Sequence, residues 1–295
     1  MISEAAKETI AALAMNRAIL SQTPVSLAQR RASFEARAAL APAPDDINVE
    51  SVVIAGVACD LLTPPGSDDA PFLLYLHGGA YCVGSPRSHR ELAGRIARAA
   101  GLRAVLPDYR LAPEHPFPAA LEDALAVYSA MPNLFGDIAA VAGDSAGGGL
   151  ALALLVAARD QSSRLPASAA LISPWTDLTQ SGASIVERAA LDPFLSPQGL
   201  EQSAVSYAGA ARRDDPLISP LFATFYGLPP LLIEVGSHEI LFDDAARLAA
   251  RAKAAGVETD LVIAEGLFHV YHGFPALPEA REGTARIGSF LARFL

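Results

Sequence analysis

The chain has 295 residues, of which 52% are hydrophobic and 18% are charged, and its formal net charge at pH 7 is -10. A chain of this length with so large an apolar share often forms one α/β unit with an elaboration attached. Basic residues form no cluster on any predicted helix face, so this acidic chain is not expected to bind nucleic acid.

The N-terminal part, residues 1 to about 45, has the pattern of two Ala-rich helices that are separated by SQTP and ended by Pro42 and Pro44. Three charged residues within the first eight positions interrupt its apolar pattern, unlike a signal peptide. Longer apolar runs elsewhere contain Gly and Pro, which argues against a membrane span. We therefore expect a soluble, cytoplasmic protein.

A hairpin is predicted next, because Val49–Leu62 alternates apolar and other residues around a turn at Gly56. Beyond it, six short runs have the continuous hydrophobicity of strands that are buried on both faces. These runs are Phe72–Leu76, Ala104–Leu106, Ile138–Ala142, Ala169–Ser173, Leu231–Val235 and Leu261–Ala264.

Four helical segments lie between these runs, with Ser88 as the expected N-cap of the first and Gly256 as the end of the last. The segments are Ser88–Ala100, Pro118–Ala130, Ala146–Asp160 and Phe242–Ala255. Alternating strands and helices predict an α/β fold with a mostly parallel central sheet and helices on both faces.

Two regions do not follow this alternation, residues 1–45 and about 178–225, and the second contains four prolines that interrupt short helical stretches. Both regions are interpreted either as a helical lid over one edge of the sheet or as ordinary packing helices. No internal repeat is visible. We therefore expect an N-terminal lid segment over 1–45 and one main domain over 46–295, which carries a lid insertion at about 178–225.

The segment Val141–Gly149 reads VAGDSAGGG and joins a predicted strand to a predicted helix. Its G-x-S-x-G pattern predicts a sharp turn that exposes the hydroxyl of Ser145 at the carboxyl end of the sheet. The chain would pass so close to its neighbours that only glycine fits at Gly143 and Gly147. A Gly-rich turn can also bind phosphate, but the P-loop lysine and the G-x-G-x-x-G spacing are missing.

A second motif, His77-Gly78-Gly79-Ala80, stands at the end of the predicted strand FLLYL. Such a loop can point backbone N–H groups at the space in front of the serine, where they stabilise an oxyanion. The predicted donors are the N–H groups of Gly78, Gly79 and Ala146. The two motifs stand at the ends of two predicted strands, and the HGGA loop precedes the serine turn along the chain. Nucleophilic catalysis uses motifs in this order, so the pair favours catalysis over a plain turn after each strand.

With the segment DYRLAPEHPFPAA at 108–120, these motifs resemble those of the hormone-sensitive-lipase-like esterases, bacterial family IV of the α/β-hydrolase fold. The resemblance runs from about residue 45 to the C-terminus. It implies an α/β-hydrolase fold and the hydrolysis of carboxylic esters with short to medium acyl chains, without metal or cofactor. Many members are dimers, so it also allows a homodimer.

The order along the chain in this fold is serine, acid, histidine. His269 follows the last predicted strand and matches the histidine position of the family, whereas His272 is expected to be a loop or supporting residue. Glu239, in the loop after LLIEV, matches the position of the family's acid, where Asp is commoner. Asp243 and Asp244 remain alternatives, although either could instead be a carboxylate in the first turn of a helix.

These residues predict a serine hydrolase that acts on small-molecule carboxylic esters through an acyl-enzyme intermediate. Tyr81 is expected near its substrate pocket. The alternatives are a receptor-like binder without chemistry, which would not need an imidazole at position 269, and a lactone or amide hydrolase. Cys59 and Cys82 are too few, and have the wrong spacing, for a disulfide framework or a zinc site.

Overall fold

The computed structural model describes residues 1–22, 25–40 and 43–295, so part of the predicted SQTP break and Pro42 lie outside the described residues. The described part contains eight strands: β1 (Asn48–Ile54), β2 (Val57–Thr63), β3 (Phe72–Leu76), β4 (Arg103–Pro107), β5 (Ile138–Asp144), β6 (Ser168–Ile172), β7 (Leu231–Gly236) and β8 (Thr259–Ala264). Its α-helices are α1 (Glu4–Gln22), α2 (Leu27–Leu40), α3 (Pro86–Ala100), α4 (Ala119–Leu134), α5 (Ala146–Asp160), α6 (Ser184–Glu187), α7 (Pro197–Ala208), α8 (Phe242–Ala254) and α9 (Pro278–Ala292).

The strands form one sheet in the order β1-β2-β4-β3-β5-β6-β7-β8. β1 and β2 form the predicted hairpin, and β2 also pairs antiparallel with β4. The remaining neighbours are parallel. Because the carboxyl ends of parallel strands lie at one edge of a sheet, the loops after β3, β5, β7 and β8 meet there.

Both faces of the sheet are covered, which explains the continuous apolar runs of its strands. Along β3, Leu74 faces the larger core cluster with α4, α5 and α8, and Leu73 faces the second cluster with α3 and α9. The mostly parallel sheet between two helical layers confirms the predicted fold class.

The start of α3 differs from the prediction, because Ser85 and not Ser88 is its N-cap. Ser85 Oγ accepts from the Ser88 N–H, and Ser88 Oγ accepts from the Ser85 N–H, so the two serines form a reciprocal capping box. Pro86 explains the difference, since proline suits the first helical position, where its missing N–H has no intrahelical partner.

The two N-terminal helices lie against different parts of the main body. Ala6 of α1 is fully buried in a small cluster with Leu267 and Phe268, while Leu27 and Phe34 of α2 pack on the larger core. Among the described residues, no helix combines the length and the apolarity that crossing a membrane requires.

Candidate active site

Ser145 lies on the turn between β5 and α5, as the G-x-S-x-G pattern predicts. Its backbone has φ 54° and ψ -122°, a conformation that non-glycine residues rarely adopt and that is often found at functional sites. The Ser145 N–H donates to the carbonyl of Ile172 at 2.8 Å, which ties the turn to the end of β6. Only 8% of the Ser145 surface is exposed, so the residue is more buried than the sequence predicts, and it lines a cavity.

The two flanking glycines are required by close backbone contacts. A Cβ on Gly143 would lie 2.3 Å from the carbonyl oxygen of Gly147, and a Cβ on Gly147 would lie 2.1 Å from that of Leu76. Both distances are far below van der Waals contact, and the neighbours are backbone atoms. The predicted reason for glycine at these positions is therefore confirmed.

His269 reaches the serine from the loop after β8. Its Nε2 lies 2.9 Å from Ser145 Oγ, and its Nδ1 lies 2.8 Å from Glu239 Oε2. With the ring proton on Nδ1, this N–H donates a hydrogen bond to the Glu239 carboxylate, and Nε2 can accept a hydrogen bond from the serine O–H. All three side chains are buried, so this chain of hydrogen bonds lies outside bulk water.

The carboxylate of Glu239 is held at both oxygens. While Oε2 faces His269, Oε1 accepts from the N–H of Gly236 at 2.6 Å and from Ser173 Oγ at 2.7 Å. The Ser173 hydroxyl oxygen in turn accepts the Val270 N–H at 3.2 Å, next to the imidazole. Ser173, directly after β6, is thus a supporting residue that no sequence motif indicates.

The two alternative acids bind elsewhere. Asp244 Oδ2 accepts the N–H groups of Thr176 and Asp177, both at 2.8 Å, and Asp243 Oδ2 accepts that of Ser184 at 2.9 Å. Burial raises the pKa of Asp244 to about 7. Of the three candidates, the carboxylate that hydrogen-bonds His269 is that of Glu239.

The charge state of His269 depends on its neighbours. Burial lowers the pKa of this imidazole, but the hydrogen bond and charge of Glu239 raise it, with further contributions from Asp192 and Asp144. The net result is a pKa above the ordinary value of 6.5. The surrounding carboxylates therefore stabilise the imidazolium that forms when His269 accepts a proton.

Gly78 is not available as the oxyanion donor that the sequence predicts, because its N–H already has an acceptor. Its N–H donates to Asp144 Oδ1 at 3.1 Å, and a Cβ there would lie 2.1 Å from Asp144 Oδ2. The N–H groups of Gly79, Ala80 and Ala146 have no hydrogen-bond acceptor among the described residues, and all three residues line the serine turn or its cavity. Ala80 therefore replaces Gly78 in the candidate set.

Asp144 connects the oxyanion loop to the serine turn. Besides Gly78, its Oδ1 accepts Tyr75 Oη–H at 2.8 Å, and its Oδ2 lies 3.5 Å from His89 Nε2. Burial opposes the charged form, but the charge and hydrogen bond of His89 outweigh it, so the pKa of Asp144 is lowered. An ionised Asp144 thus fixes the loop of Gly78 beside the serine.

Tyr81 does not line the cavity, contrary to the expectation. Only 1% of its surface is exposed, and its ring stacks on Tyr207 with centroids 3.6 Å apart. Its backbone has φ 60°, so the chain reverses at this residue and carries the side chain into the core beside Trp175. Adjacency to the oxyanion motif therefore does not place it near the substrate.

Asp192 is a second buried carboxylate near His269 that the sequence does not single out. Its Oδ1 accepts the N–H groups of Phe194 and Leu195, both at 2.8 Å, and its Oδ2 accepts that of Ile240 at 2.9 Å. Arg17 of α1 donates to its carbonyl oxygen. Asp192 thus joins the segment before α7 to the turn that holds Glu239.

His272 belongs to a separate structural network. Its Nε2 lies 2.9 Å from Glu234 Oε2, and the same carboxylate accepts two hydrogen bonds from Arg286. This network attaches the loop that follows His269 to α9 and β7, which agrees with a supporting role for His272.

A cavity of about 460 Å³ opens in front of Ser145 and His269. Its walls come from α1, α2, the oxyanion loop, α3, the segment before and within α7, and the loop over 273–277. Most of these wall residues are apolar: Phe34, Ala80, Val83, Leu92, Phe194, Leu195, Leu200, Val270, Phe274, Pro275, Ala276 and Leu277. In the described ranges of the chain, no group of three or more His, Cys, Asp or Glu side chains is placed to hold a metal ion.

The comparisons with known proteins agree with this geometry. A family model described as alpha/beta hydrolase fold matches residues 73–273. An acetyl-hydrolase of Streptomyces hygroscopicus is 44% identical over 230 residues, which cover 77% of this chain and 77% of that protein.

Two solved structures are similar over nearly the whole chain. A crystal structure of an esterase from the bacterial hormone-sensitive lipase family has a TM-score of 0.94 and 41% identity, covering 100% of this chain and 99% of the other. A structure of EstE5 soaked with p-nitrophenyl butyrate has a TM-score of 0.93 and 43% identity, covering 99% and 98%. The chain therefore belongs to the α/β-hydrolase family and is a carboxylesterase of its hormone-sensitive-lipase-like group.

Proposed function

We propose that Ser145, His269 and Glu239 are the catalytic residues of this carboxylesterase and that they act through an acyl-enzyme intermediate. The observation that carries the proposal is the continuous hydrogen-bonded chain from Ser145 Oγ through His269 to Glu239, with distances of 2.9 Å and 2.8 Å. A serine hydroxyl is a weak nucleophile until a neighbouring base removes its proton.

In the first step, His269 Nε2 accepts the Ser145 proton while Oγ attacks the ester carbonyl carbon. The negative charge of the tetrahedral intermediate falls on the former carbonyl oxygen. His269 then gives its proton to the departing alcohol oxygen as the C–O bond breaks, which leaves Ser145 acylated. Water repeats both steps and releases the carboxylic acid.

The oxyanion is stabilised by the N–H groups of Gly79, Ala80 and Ala146. Ala146 is the first residue of α5, so the partial positive charge of the helix N-terminus adds to its N–H. These donors are fixed before the substrate binds, and preorganised donors in a site with little water favour the charged intermediate most.

The cavity supports a preference for short to medium acyl chains. Its volume of about 460 Å³ is in the range of pockets for small molecules, and most of its wall is apolar. The structure of EstE5, which is 43% identical, was obtained from a crystal soaked with p-nitrophenyl butyrate. We propose esters of about this size as substrates.

The regions 1–45 and 178–225 are proposed to be the lid, with 46–295 as the hydrolase domain. Support comes from the cavity wall, where α1 and α2 supply Thr9, Arg30 and Phe34. Residues 194, 195 and 200 of the second region line the same cavity. Both regions therefore lie where they can select substrates.

A homodimer and a cytoplasmic location are further proposals. β8 is an edge strand of the sheet, and its residue Ile263 is exposed, which supports pairing with a second copy. Light scattering after gel filtration measures the mass of the assembly directly.

The cytoplasmic location is supported by the cysteines. Cys59 and Cys82 are both buried free thiols, as is common in a reducing compartment.

The experiment for the catalytic assignment compares the parent enzyme with Ser145→Ala on p-nitrophenyl esters from acetate to decanoate. We expect the variant to be folded, to lose at least about a thousandfold in kcat, and to resist a fluorophosphonate probe that labels the parent. Ser162→Ala is a control in an exposed turn. Parent-like hydrolysis by Ser145→Ala would contradict the assignment, and an unlabelled parent would favour a non-catalytic binder.

A further inference from the structure

Helix α2 presents two different faces to the rest of the molecule. Residues 31 and 35 bind the main body: Arg31 donates to the carbonyls of Cys82 and Ala112 and pairs with Glu114, and Glu35 accepts from Ser85 Oγ at 2.6 Å. Residues 30 and 34 are likewise one turn apart and line the cavity in front of Ser145.

The anchoring of α2 therefore fixes a cation in the cavity wall. Arg30 is half-buried, and it lies close enough to Cys82 to lower the pKa of that thiol against the effect of burial. Among the residues that the structure describes, its guanidinium has no carboxylate within 4.0 Å and no hydrogen-bond acceptor. Positions 20–24 and 37–42 hold no Asp or Glu.

The acidic residues of the cavity wall already have hydrogen-bond partners of their own. Both oxygens of Glu91 accept from Arg95, at 2.5 Å and 3.0 Å. Asp144 is bound by Tyr75, Gly78 and His89 behind the serine. Within the described wall, Arg30 is thus the charged side chain whose charge no neighbouring acid balances.

We propose that Arg30 binds a carboxylate on the substrate, so that the enzyme favours esters with an anionic group remote from the scissile bond. The substrate class is the monoester of a dicarboxylic acid, or an ester whose alcohol carries a carboxylate. This inference rests on the proposed function, since the cavity is that of Ser145.

The chemistry of the guanidinium supports this class. Its planar set of donors matches the two oxygens of a carboxylate, and such pairs are stronger than neutral hydrogen bonds. The net charge of -10 repels an anion that approaches through solvent, but salt screens this long-range repulsion. The contact between Arg30 and a substrate carboxylate lies inside the cavity, where salt screens it much less. The preference for anionic esters should therefore persist at physiological ionic strength.

The test compares each anionic ester with its neutral equivalent. On the acyl side the pair is monoethyl adipate and ethyl hexanoate, and on the alcohol side it is 4-acetoxybutanoate and butyl acetate. The rate of acid release gives kcat/KM for each ester in the parent, Arg30→Gln, Arg30→Lys and Arg164→Gln. Arg164, whose side chain is 84% exposed beside Asp137, controls for the loss of one positive charge.

We expect the anionic-to-neutral ratio of kcat/KM to fall about tenfold in Arg30→Gln on one of the two sides. Arg30→Lys should recover part of it, and Arg164→Gln should match the parent. The side that responds shows whether Arg30 faces the acyl or the alcohol group.

Three outcomes would overturn the proposal: no turnover of either anionic ester by the parent, an unchanged ratio in Arg30→Gln, or an equal loss on anionic and neutral esters. The last would mean that Arg30 supports only the fold. Failure of the catalytic assignment can be distinguished from failure of the Arg30 proposal. If Ser145 is not the nucleophile, Ser145→Ala still hydrolyses the neutral ester ethyl hexanoate.

Discussion

His269 Nε2 lies 2.9 Å from Ser145 Oγ, although 124 positions separate the two residues in the chain. The sheet order explains the contact, because β5, β6, β7 and β8 are consecutive neighbours and all parallel. Serine follows β5, the acid follows β7 and histidine follows β8. Loops of modest length therefore bring the three side chains together without distorting the sheet.

The pH dependence of kcat/KM follows from His269. The imidazole must be neutral to accept the serine proton, and its pKa is raised above 6.5, first of all by Glu239 against the opposing effect of burial. The value of kcat/KM should therefore be highest at high pH, where His269 is neutral. It should fall as the pH drops through the pKa of His269, which lies above 6.5, and by about tenfold for each pH unit below that pKa. A pH–rate profile with its inflection below 6.5 would contradict this prediction.

Glu239→Gln should keep the shape of the site but remove the charge behind His269. An amide can present its NH₂ group to Nδ1 and stabilise the wrong tautomer, and it no longer stabilises the imidazolium. We expect kcat to fall on the order of a thousandfold or more, with a smaller change in KM. Glu258→Gln, at an exposed pair with Arg293, is the matched control and should retain the parent rate.

Asp192→Asn tests the second carboxylate near His269. Because the negative charge of Asp192 raises the pKa of His269, its removal should move the acid limb of the profile to lower pH. The amide also cannot accept all three N–H groups, so kcat/KM at high pH should fall several-fold. Glu187→Gln removes the same charge from an exposed position and should shift neither.

A purely structural role for Asp192 would lower the activity without moving the inflection. The shift in pH is therefore the informative result. An Asp192→Asn profile that is parallel to that of the parent would show that the carboxylate only holds the loop.

The features that the sequence predicts well are those encoded by local patterns. Continuous apolar runs predict β5 and β7 because both faces of the sheet are covered, and G-x-S-x-G predicts the turn at Ser145 because only glycine fits at its flanks. The positions of Glu239 and His269 are predicted through the resemblance to the family, in which serine, acid and histidine follow one another along the chain.

The features that the sequence does not predict depend on the exact path of a loop and on the contacts that its atoms make. Whether Gly78 or Ala80 can bind an oxyanion is decided by the carboxylate of Asp144, which takes the Gly78 N–H. Tyr81 turns into the core because its backbone has φ 60°, which its residue type does not indicate. Asp192 acts through long-range backbone contacts that leave no motif in the sequence.

Gly147→Ala should destabilise the fold through the turn that carries Ser145. The added Cβ would lie 2.1 Å from the carbonyl oxygen of Leu76 and 2.4 Å from that of His77, so the end of β3 and the oxyanion loop must move. We expect a loss of about 3 kcal/mol in the free energy of unfolding, which is roughly 5 °C in Tm for a chain of 295 residues.

Gly273→Ala is the matched control for this change, because a Cβ at Gly273 meets no heavy atom within 4 Å and the residue is outside the left-handed region. Its unfolding free energy should stay within about 0.5 kcal/mol of the parent value. Thermal unfolding of both variants by circular dichroism measures the difference. Equal melting temperatures for Gly147→Ala and Gly273→Ala would mean that the end of β3 moves with little loss of stability. The close backbone contact would then not be the reason that glycine is required at position 147.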